Sequence, residues 1–483
     1  MGIETFEKNM YLKKILMINP PTGLFIRDDR CQSNVEGFLV SVSRPPHELM
    51  LMAAGLKDKG HQVSIFDYPI EGKSLFDYKS DFQENLPDVL VINATIPTIN
   101  EDIKCAKIAK QIKNDLLVVL RCGAIEDSAE NLMKQEEGID VILYGETDFT
   151  LAELLENNDK NKVRGIFYRN DIHIVKTLSR TFLDNLDSLP MVDRSLVKNE
   201  LYIRPDNGKP LGLIEVSRGC PYSCIYCLVS ISYGKIHRTR SVCSVIKEIK
   251  NCVEEHGIFD FHFKSDLFIF NREWVIELGQ EIIKNKLEIR WFANSRVDKI
   301  DDGILKILKS SGCFALAIGV ESGSQYILDK IKKSITIDRI KKTFLMCKKN
   351  KIKTYAYFII GFPWDTKYTV KDTVAFSKKI DPDYIDFFFP FAFKGTELFR
   401  IVKDLGLIDE GISEDSRRNS YTGAQFASLH FSKKELNRLR KAALRSFYFR
   451  PEYVLKTFRR CENMSEVFHV FRYAISMLKK IIK

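Results

Sequence analysis

Short apolar runs alternate with helix-like stretches in the first part of the chain. The strand-like runs are residues 15–18, 63–66, 89–92, 116–120 and 141–143, and the helix-like stretches are residues 47–59, 100–113, 128–135 and 149–156. Strands that are apolar throughout and are separated by helices form a parallel sheet covered on both faces. The sequence therefore predicts an α/β fold that begins with a doubly wound, Rossmann-like domain over residues 1–155.

A second alternating series follows, with six strand-like runs. They are residues 213–216, 261–264, 289–292, 314–318, 354–360 and 384–389. Six β–α units predict a partial (β/α)6 barrel of the TIM type over residues 206–405. Residues 156–205 contain a predicted hairpin, with its turn at Asn170-Asp171, and a linker. From residue 406 to residue 483 the alternation gives way to a basic, helical extension.

Bulk composition limits the setting in which the chain works. Eleven cysteines without regular pairing in a chain of 483 residues argue against a disulfide scaffold and for a reducing compartment. The chain begins without a secretory signal and contains no apolar run long enough to span a bilayer. We therefore expect a cytoplasmic protein.

Basic residues interleave with aromatic residues from Lys433 to the end of a chain whose net charge is +10. Three interpretations stay open: amphipathic helices packed on the body of the protein, peripheral contact with the inner face of an anionic membrane, and contact with nucleic acid. Nucleic acid is the least favoured of the three.

Cys220, Cys224 and Cys227 carry the clearest chemical signal. Their C-x3-C-x2-C spacing directly follows the first strand of the second series. Three thiolates can hold three irons of a cubane cluster and leave the fourth iron open for a ligand. A zinc knuckle or three structural cysteines are the alternatives, but zinc would need a fourth ligand at short spacing. The sequence therefore favours an open iron–sulfur cluster at the active-site face of the predicted barrel.

Small and polar residues end the strands of the first series, where ligands of open α/β sheets bind. Glycines at such strand ends let a large, flat ligand approach the backbone. The candidate contacts are Asn19, Pro20, Pro21, Thr95, Gly123, Gly145 and Glu146.

The second series resembles the radical S-adenosylmethionine (SAM) enzymes. Cys220, Cys224 and Cys227 match the ligands of their [4Fe–4S] cluster, and Tyr226 matches the aromatic residue before the third cysteine. In that family SAM chelates the open iron and is reductively cleaved to a 5′-deoxyadenosyl radical. The resemblance implies an external electron donor of the flavodoxin or ferredoxin type.

The same resemblance implies SAM contacts at later strand ends. Asp266 matches the carboxylate that meets the SAM amino group, and Arg296 and Glu321 match contacts to its carboxylate or ribose. Gly361 lies in the motif that backs the adenine. Asp365 stands in that motif where relatives carry glutamate.

The first series is similar to the cobalamin-binding domain that precedes the barrel in one subgroup of these enzymes. Ile18-Asn19-Pro20-Pro21 and Tyr144-Gly145-Glu146 carry this similarity. Arg121-Cys122-Gly123-Ala124 departs from the pattern, because relatives often carry two glycines and a histidine there. The D-x-H-x-x-G motif is missing after the first strand, so we expect no histidine on cobalt from that motif.

The resemblance implies a cobalamin-dependent radical SAM enzyme that methylates an unactivated carbon or phosphorus of a small-molecule or lipid-linked substrate. The segments Arg27–Cys31 and Arg44-Pro45-Pro46 resemble relatives associated with hopanoid lipids. Radical ring formation, rearrangement or lipid modification without methyl transfer is the alternative. An RNA-modifying enzyme and a non-catalytic corrinoid-binding protein are less favoured.

Overall fold

The computed structural model describes residues 12–30, 32–35, 42–204, 206–408 and 421–458. Cys31 and the basic residues from Arg459 to Lys483 lie outside this part of the chain, so the expectations that rest on them stay predictions.

The first part of the chain forms a seven-stranded sheet with helices between its strands. Its elements are β1 (Lys14–Asn19), β2 (Phe25–Arg27), β3 (Gln32–Asn34), α1 (His47–Asp58), β4 (Gln62–Asp67), α2 (Leu75–Asn85), β5 (Val89–Asn93), α3 (Ile99–Asp102), α4 (Lys104–Ile112), β6 (Leu117–Arg121), α5 (Glu126–Gln135), β7 (Val141–Leu143), α6 (Thr150–Glu156), β8 (Ile166–Asn170) and β9 (His173–Lys176). The strand order is β4-β1-β5-β6-β7-β8-β9.

All five predicted strands of this sheet occur and pair in parallel. The predicted hairpin also occurs, as β8 and β9, but it pairs antiparallel with β7 and extends the sheet instead of standing apart. Helix α2 was not predicted, because only Tyr78 and Phe82 of its side chains are buried and its apolar periodicity is weak.

The second part forms a six-stranded sheet followed by helices. Its elements are β10 (Leu211–Glu215), β11 (Ser217–Arg218), α7 (Val229–Ser232), β12 (Arg238–Thr239), α8 (Val242–His256), β13 (Asp260–Lys264), α9 (Arg272–Lys284), β14 (Arg290–Ser295), α10 (Asp302–Ser310), β15 (Cys313–Glu321), α11 (Gln325–Lys330), α12 (Ile337–Lys349), β16 (Lys353–Ile359), α13 (Lys367–Ile380), β17 (Tyr384–Phe388), α14 (Glu397–Asp404), α15 (Lys433–Tyr448) and α16 (Pro451–Phe458).

The six predicted strands of this sheet all occur, in the order β10-β13-β14-β15-β16-β17, and every pair is parallel. Side chains alternate between its two faces. On β13, Phe261 and Phe263 pack into the main hydrophobic core. His262 and Lys264 therefore point to the opposite face, which carries the site described below.

Helix α15 packs beside β17. The hydroxyl of Tyr448 accepts from the backbone N–H of Ile385 at 2.9 Å, and Arg440 pairs with Asp386 at 2.9 Å. Phe447 is fully buried in the same interface. Both aromatic side chains of residues 433–448, Phe447 and Tyr448, are thus core residues. Within the described ranges, no helix is long and apolar enough to cross a membrane.

Candidate active site

The three cysteines lie in the loop that follows β10 and the short strand β11. Gly219 begins this loop with a φ of 86°, and its backbone N–H donates to Asp266 at 2.7 Å. A Cβ atom on Gly219 would overlap the carbonyl oxygen of Ile236. The loop path therefore requires glycine at this position, both for the left-handed backbone and for the close approach.

Cys220, Cys224 and Cys227 are partly buried and free of disulfide bonds. Burial raises the pKa of Cys227 to about 12, so binding of iron there has to displace a proton. Among the described residues, no group of three or more His, Cys, Asp or Glu side chains is placed so that it could hold a single metal ion. The cysteines of a cubane cluster bind different irons and need not converge on one point. The site thus fits an open cluster better than a zinc ion.

Arg296 forms one wall of the cysteine loop. Its guanidinium lies 3.6 Å from the centre of the Tyr222 ring, and its Nη2 donates to the carbonyl oxygen of Lys333 at 2.7 Å. Nε donates to Asp298 at 3.0 Å, and the hydroxyl of Tyr222 donates to the same carboxylate. Arg296, a predicted SAM contact, is therefore held in place by protein groups beside the cysteine loop.

Glu321 ends β15 in a left-handed conformation, with a φ of 64°. Its Oε1 accepts from Nζ of Lys333 at 2.6 Å, and both side chains are buried. Burial, followed by the adjacent Glu321 carboxylate, raises the pKa of Tyr226 well above its usual range. Non-glycine residues in this backbone region cost free energy and cluster at functional sites.

Asp266 is buried and accepts two hydrogen bonds from the protein. Its Oδ2 accepts from Gly219, and its Oδ1 accepts from Nη1 of Arg30 at 3.0 Å. Burial raises the pKa of Asp266, while Arg30 lowers it. The predicted partner of the SAM amino group is therefore oriented by a residue from the first part of the chain.

A cavity of about 400 Å³ opens beside these groups. Two of the predicted SAM contacts, Asp266 and Glu321, line it with Tyr226, one cysteine and an aromatic wall, whereas Arg296 is not among its lining residues. These residues are Cys227, Tyr226, Asp266, Glu321, Phe292, Phe314, Tyr355, Tyr357, Tyr384, Phe388 and Tyr421.

Gly361 is not among the residues that line this cavity. A Cβ there, at a φ of 96°, would contact Leu436 of α15 at 3.2 Å. Its backbone N–H donates to Asp365 at 2.8 Å, and that of Phe362 donates to the same oxygen at 3.0 Å. Asp365 therefore fixes the turn that follows β16. Its side chain, which is shorter than the glutamate of relatives, serves this structural role.

Buried ion pairs join the two sheets behind the cysteine loop. Lys264 is fully buried, and its Nζ lies 2.6 Å from Glu48 on α1 and 3.0 Å from Glu215 on β10. Arg218 contacts Glu215 at 2.7 Å and, across the sheets, Asp148 at 2.7 Å. Unpaired charges are costly in such surroundings, so these pairs fix the relative position of the sheets.

The strand ends that were predicted to hold a flat cofactor are covered by β2 and β3. Gln32 donates from Nε2 to the carbonyl oxygen of Gly123 at 2.6 Å and accepts from the N–H of Ile96 at 2.7 Å. A Cβ on Gly123 would lie 2.6 Å from the backbone of Asp29. Arg121 contacts both carboxylate oxygens of Asp29, at 2.7 and 2.8 Å.

The remaining predicted contacts at this edge have protein partners or lie against the chain. The amide of Asn93 donates to Asn19 at 2.9 Å, and the hydroxyl of Thr95 lies 2.6 Å from that of Thr98. Pro20 is buried and Pro21 partly buried, in the turn after β1. Glu146 pairs with Arg238 at 2.8 Å.

A Cβ atom added to Gly145 would have no neighbour within 4 Å. A small cavity of about 40 Å³, which Asn19 lines, lies at this edge. Among the described residues, Asp29 and Gln32 occupy the space above Gly123 that a corrin ring would need.

Several functional candidates escaped the sequence reasoning. Lys333 and Arg30 hold Glu321 and Asp266, at sequence separations of 12 and 236 residues, and the fold of the intervening chain brings each pair together. The covering hairpin of β2 and β3 was also missed, because its strands are only three residues long and β3 is polar.

Comparison with known proteins agrees with this geometry. Residues 214–377 match the model of the radical SAM superfamily. An uncharacterized methyltransferase of Pyrococcus horikoshii is 29% identical over 451 residues, which cover 92% of this chain and 95% of that protein. A hopanoid C-3 methylase of Methylococcus capsulatus is 25% identical over 306 residues, or 61% of this chain and 56% of the relative.

A solved structure of similar fold is OxsB, a cobalamin-dependent radical SAM enzyme determined with aqua-cobalamin and SAM bound. It superimposes with a TM-score of 0.72 at 16% sequence identity, and the superposition covers 97% of this chain and 72% of the OxsB chain. At this identity the likeness concerns the fold. The family match adds the chemistry that the cysteine loop indicates: residues 214–377 are a radical SAM domain, in a chain that is similar to methyltransferases.

Proposed function

We propose that this enzyme transfers a methyl group to an organic substrate that binds in the aromatic cavity beside the cysteine loop. The observation that carries the proposal is that Cys227, Asp266 and Glu321 line the same cavity as a wall of phenylalanine and tyrosine rings. The methyltransferase relative, which matches nearly the full length of the chain, supports methyl transfer over other radical reactions.

The three cysteines would hold a [4Fe–4S] cluster, and the cavity next to Cys227 would hold SAM. When bound, the cluster supplies the electron that cleaves SAM to methionine and a 5′-deoxyadenosyl radical. Asp266 would accept hydrogen bonds from the SAM ammonium group, since a buried carboxylate binds such a group strongly.

Arg30 and Gly219 keep the Asp266 carboxylate aimed at the cavity. Lys333 does the same for Glu321. The aromatic wall excludes water, which protects a reactive intermediate from side reactions.

Cobalamin is the second cofactor that we propose, because the first sheet resembles the cobalamin-binding domain of this subgroup. The hairpin of β2 and β3 covers the strand ends where the corrin would bind, so no step of the reaction is assigned to cobalamin here. Binding would require the contacts of Gln32 with Gly123 and Ile96 to open.

Ring formation without methyl transfer is the second candidate function. An anaerobic magnesium-protoporphyrin IX monomethyl ester cyclase of Rubrivivax gelatinosus is 28% identical over 352 residues, and the match covers 63% of that protein. The aromatic cavity favours a ring-containing or apolar substrate in either case. A lipid-linked substrate, a flavodoxin or ferredoxin as the electron donor, and membrane contact through the basic extension remain part of the proposal.

Anaerobically reconstituted enzyme, SAM and a strong reductant provide the test. We expect 5′-deoxyadenosine from the wild type and none from Cys224→Ser, whereas Cys243→Ser, which changes an exposed cysteine, behaves as the wild type. Methyl-labelled SAM then separates the two functions. Label in the product supports methyl transfer, an unlabelled cyclised product supports the second candidate, and absence of 5′-deoxyadenosine from the wild type contradicts both.

A further inference from the structure

The carboxylates that line the aromatic cavity are already neutralised by basic residues of the protein. Each has a partner within ion-pair distance. The pairs are Asp28 with Arg30, Asp266 with Arg30, Asp206 with Arg204, Glu321 with Lys333, and Asp386 with Arg440. Arg30 serves two of these five carboxylates, and Nζ of Lys264 also lies 3.7 Å from Asp28, so every acid that lines the cavity has a cationic partner.

Arg44 is the exception among the basic residues of the cavity. It lines the cavity, and its Nε is buried without a hydrogen-bond partner. Among the described residues, no ion-pair partner lies near its guanidinium. Because a partly buried guanidinium gains most from a paired oxyanion, this unpaired side chain points to a ligand.

His262 supplies a second unpartnered polar group, directly behind the cavity-lining ring of Phe292 and within the electrostatic influence of Arg44. It is fully buried on β13, its ring stacks on Phe292 with 4.4 Å between centroids, and neither ring nitrogen has a hydrogen-bond partner. Burial, and then the charge of Arg44, lowers the pKa of His262 well below its usual value. The neutral ring has one N–H to donate, and leaving it unpaired is costly.

His262 lies away from the candidate SAM contact Asp266. It precedes Asp266 by four residues on the same strand and its continuation, a separation of roughly 13 Å at the usual rise per residue. Its stacking partner Phe292 lines the cavity, so a ligand group bound at this end would be a remote handle and not part of the reacting centre.

We propose that the substrate carries an anionic oxygen group, a carboxylate or a phosphate, which binds Arg44 and accepts a hydrogen bond from His262. Its apolar or ring-containing body would lie against Phe292, Phe314 and Tyr355. The anionic handle would orient the substrate so that its reacting atom faces the SAM end of the cavity. This inference rests on the proposed function only in taking the cavity to be the substrate site.

A set of shape-matched probes tests the handle without knowledge of the natural substrate. The probes are 2-naphthoate, 2-naphthyl phosphate and the neutral 2-naphthamide, and their fluorescence anisotropy reports binding to the reconstituted holoenzyme with SAM. We expect at least one anion to bind about tenfold more tightly than the amide. Which anion binds more tightly distinguishes a carboxylate site from a phosphate site.

Variants assign the preference to its residues. Arg44→Met should abolish the preference for the anion, Arg44→Lys should retain part of it, and His262→Phe, which keeps the ring stack, should reduce it by about threefold. Arg164→Met changes an exposed arginine and should leave the preference intact. Equal affinity of the wild type for anions and amide, or an anion preference that survives Arg44→Met, overturns the proposal. Formation of 5′-deoxyadenosine by the wild type is a separate measurement, so a failed radical assignment is recognised independently.

Discussion

The guanidinium of Arg30 donates to the carboxylate of Asp266 at 3.0 Å across a sequence separation of 236 residues. Arg30 follows β2 in the first part of the chain, and Asp266 follows β13 in the second. The acidic residue at the candidate SAM site is therefore positioned by the other half of the molecule.

Replacement of Arg30 by methionine should destabilise the protein. Arg30→Met leaves Asp266 buried without its cationic partner, and loss of one member of a buried pair costs about 3 kcal/mol. Urea denaturation under anaerobic conditions would measure the free energy of unfolding, and isothermal titration should show weaker SAM binding. Lys284→Met breaks an exposed pair with Glu281 and should leave both quantities unchanged. A loss in the control equal to that in Arg30→Met would contradict this role for Arg30.

Replacement of Gly219 by alanine should disrupt cluster binding. The added methyl group would overlap the carbonyl oxygen of Ile236 and force the cysteine loop to move. We expect Gly219→Ala to lose most of its iron, sulfide and visible absorbance after reconstitution. Gly257→Ala is the matched control, because that glycine also has a positive φ, of 61°, but no neighbour within 4 Å of the added atom. Normal iron content in Gly219→Ala would show that the loop tolerates the change.

Asp365 should make stability depend on pH. Burial raises its pKa from 3.8 to about 6. The folded state therefore holds the proton more tightly than the unfolded state, and this contribution to stability is full below pH 3.8 and is lost as the pH rises through 6. Asp365→Asn cannot titrate, so the wild type should lose about 1.4 kcal/mol relative to the variant between pH 5 and pH 8.

The measurement is the free energy of unfolding of both proteins at the two pH values. Asp115→Asn, at an exposed position, serves as the control and should track the wild type. A constant difference between the wild type and Asp365→Asn across this range would mean that Asp365 does not titrate there.

Loosening of the hairpin of β2 and β3 should strengthen the binding of cobalamin. Gln32→Ala removes two of the hydrogen bonds that hold the hairpin on the strand ends, at Gly123 and Ile96. If a corrin binds at this edge, it no longer has to break these bonds, and we expect about tenfold tighter binding than in the wild type. Spectrophotometric titration with hydroxocobalamin measures this, with the exposed Gln62→Ala as control. Unchanged affinity would place the corrin elsewhere.

The sequence predicted the strands of both sheets because buried parallel strands are continuous apolar runs. It also predicted the cysteine loop, whose spacing is local. The partners of the site residues could not be predicted in this way. Arg30 and Lys333 act on Asp266 and Glu321 through contacts that depend on where loops cross in space, and no periodicity records such crossings.

The covered edge of the first sheet was missed for a related reason. Asn19, Thr95 and Gly123 do lie at strand ends, as expected, but a hairpin of two three-residue strands covers this edge. The pairing of Arg121 with Asp29 explains the departure from the two glycines of relatives, since a glycine could not supply that charge.

The buried ion pairs of Lys264 and Arg218 also limit how such genes can recombine. A crossover between Arg204 and Leu211 would inherit Glu48 and Asp148 from one parent and Lys264 and Arg218 from the other. A hybrid whose parents differ at any of these positions would bury an unpaired charge between the two sheets and lose stability. The two halves can therefore be exchanged only between parents that carry matching residues at these positions.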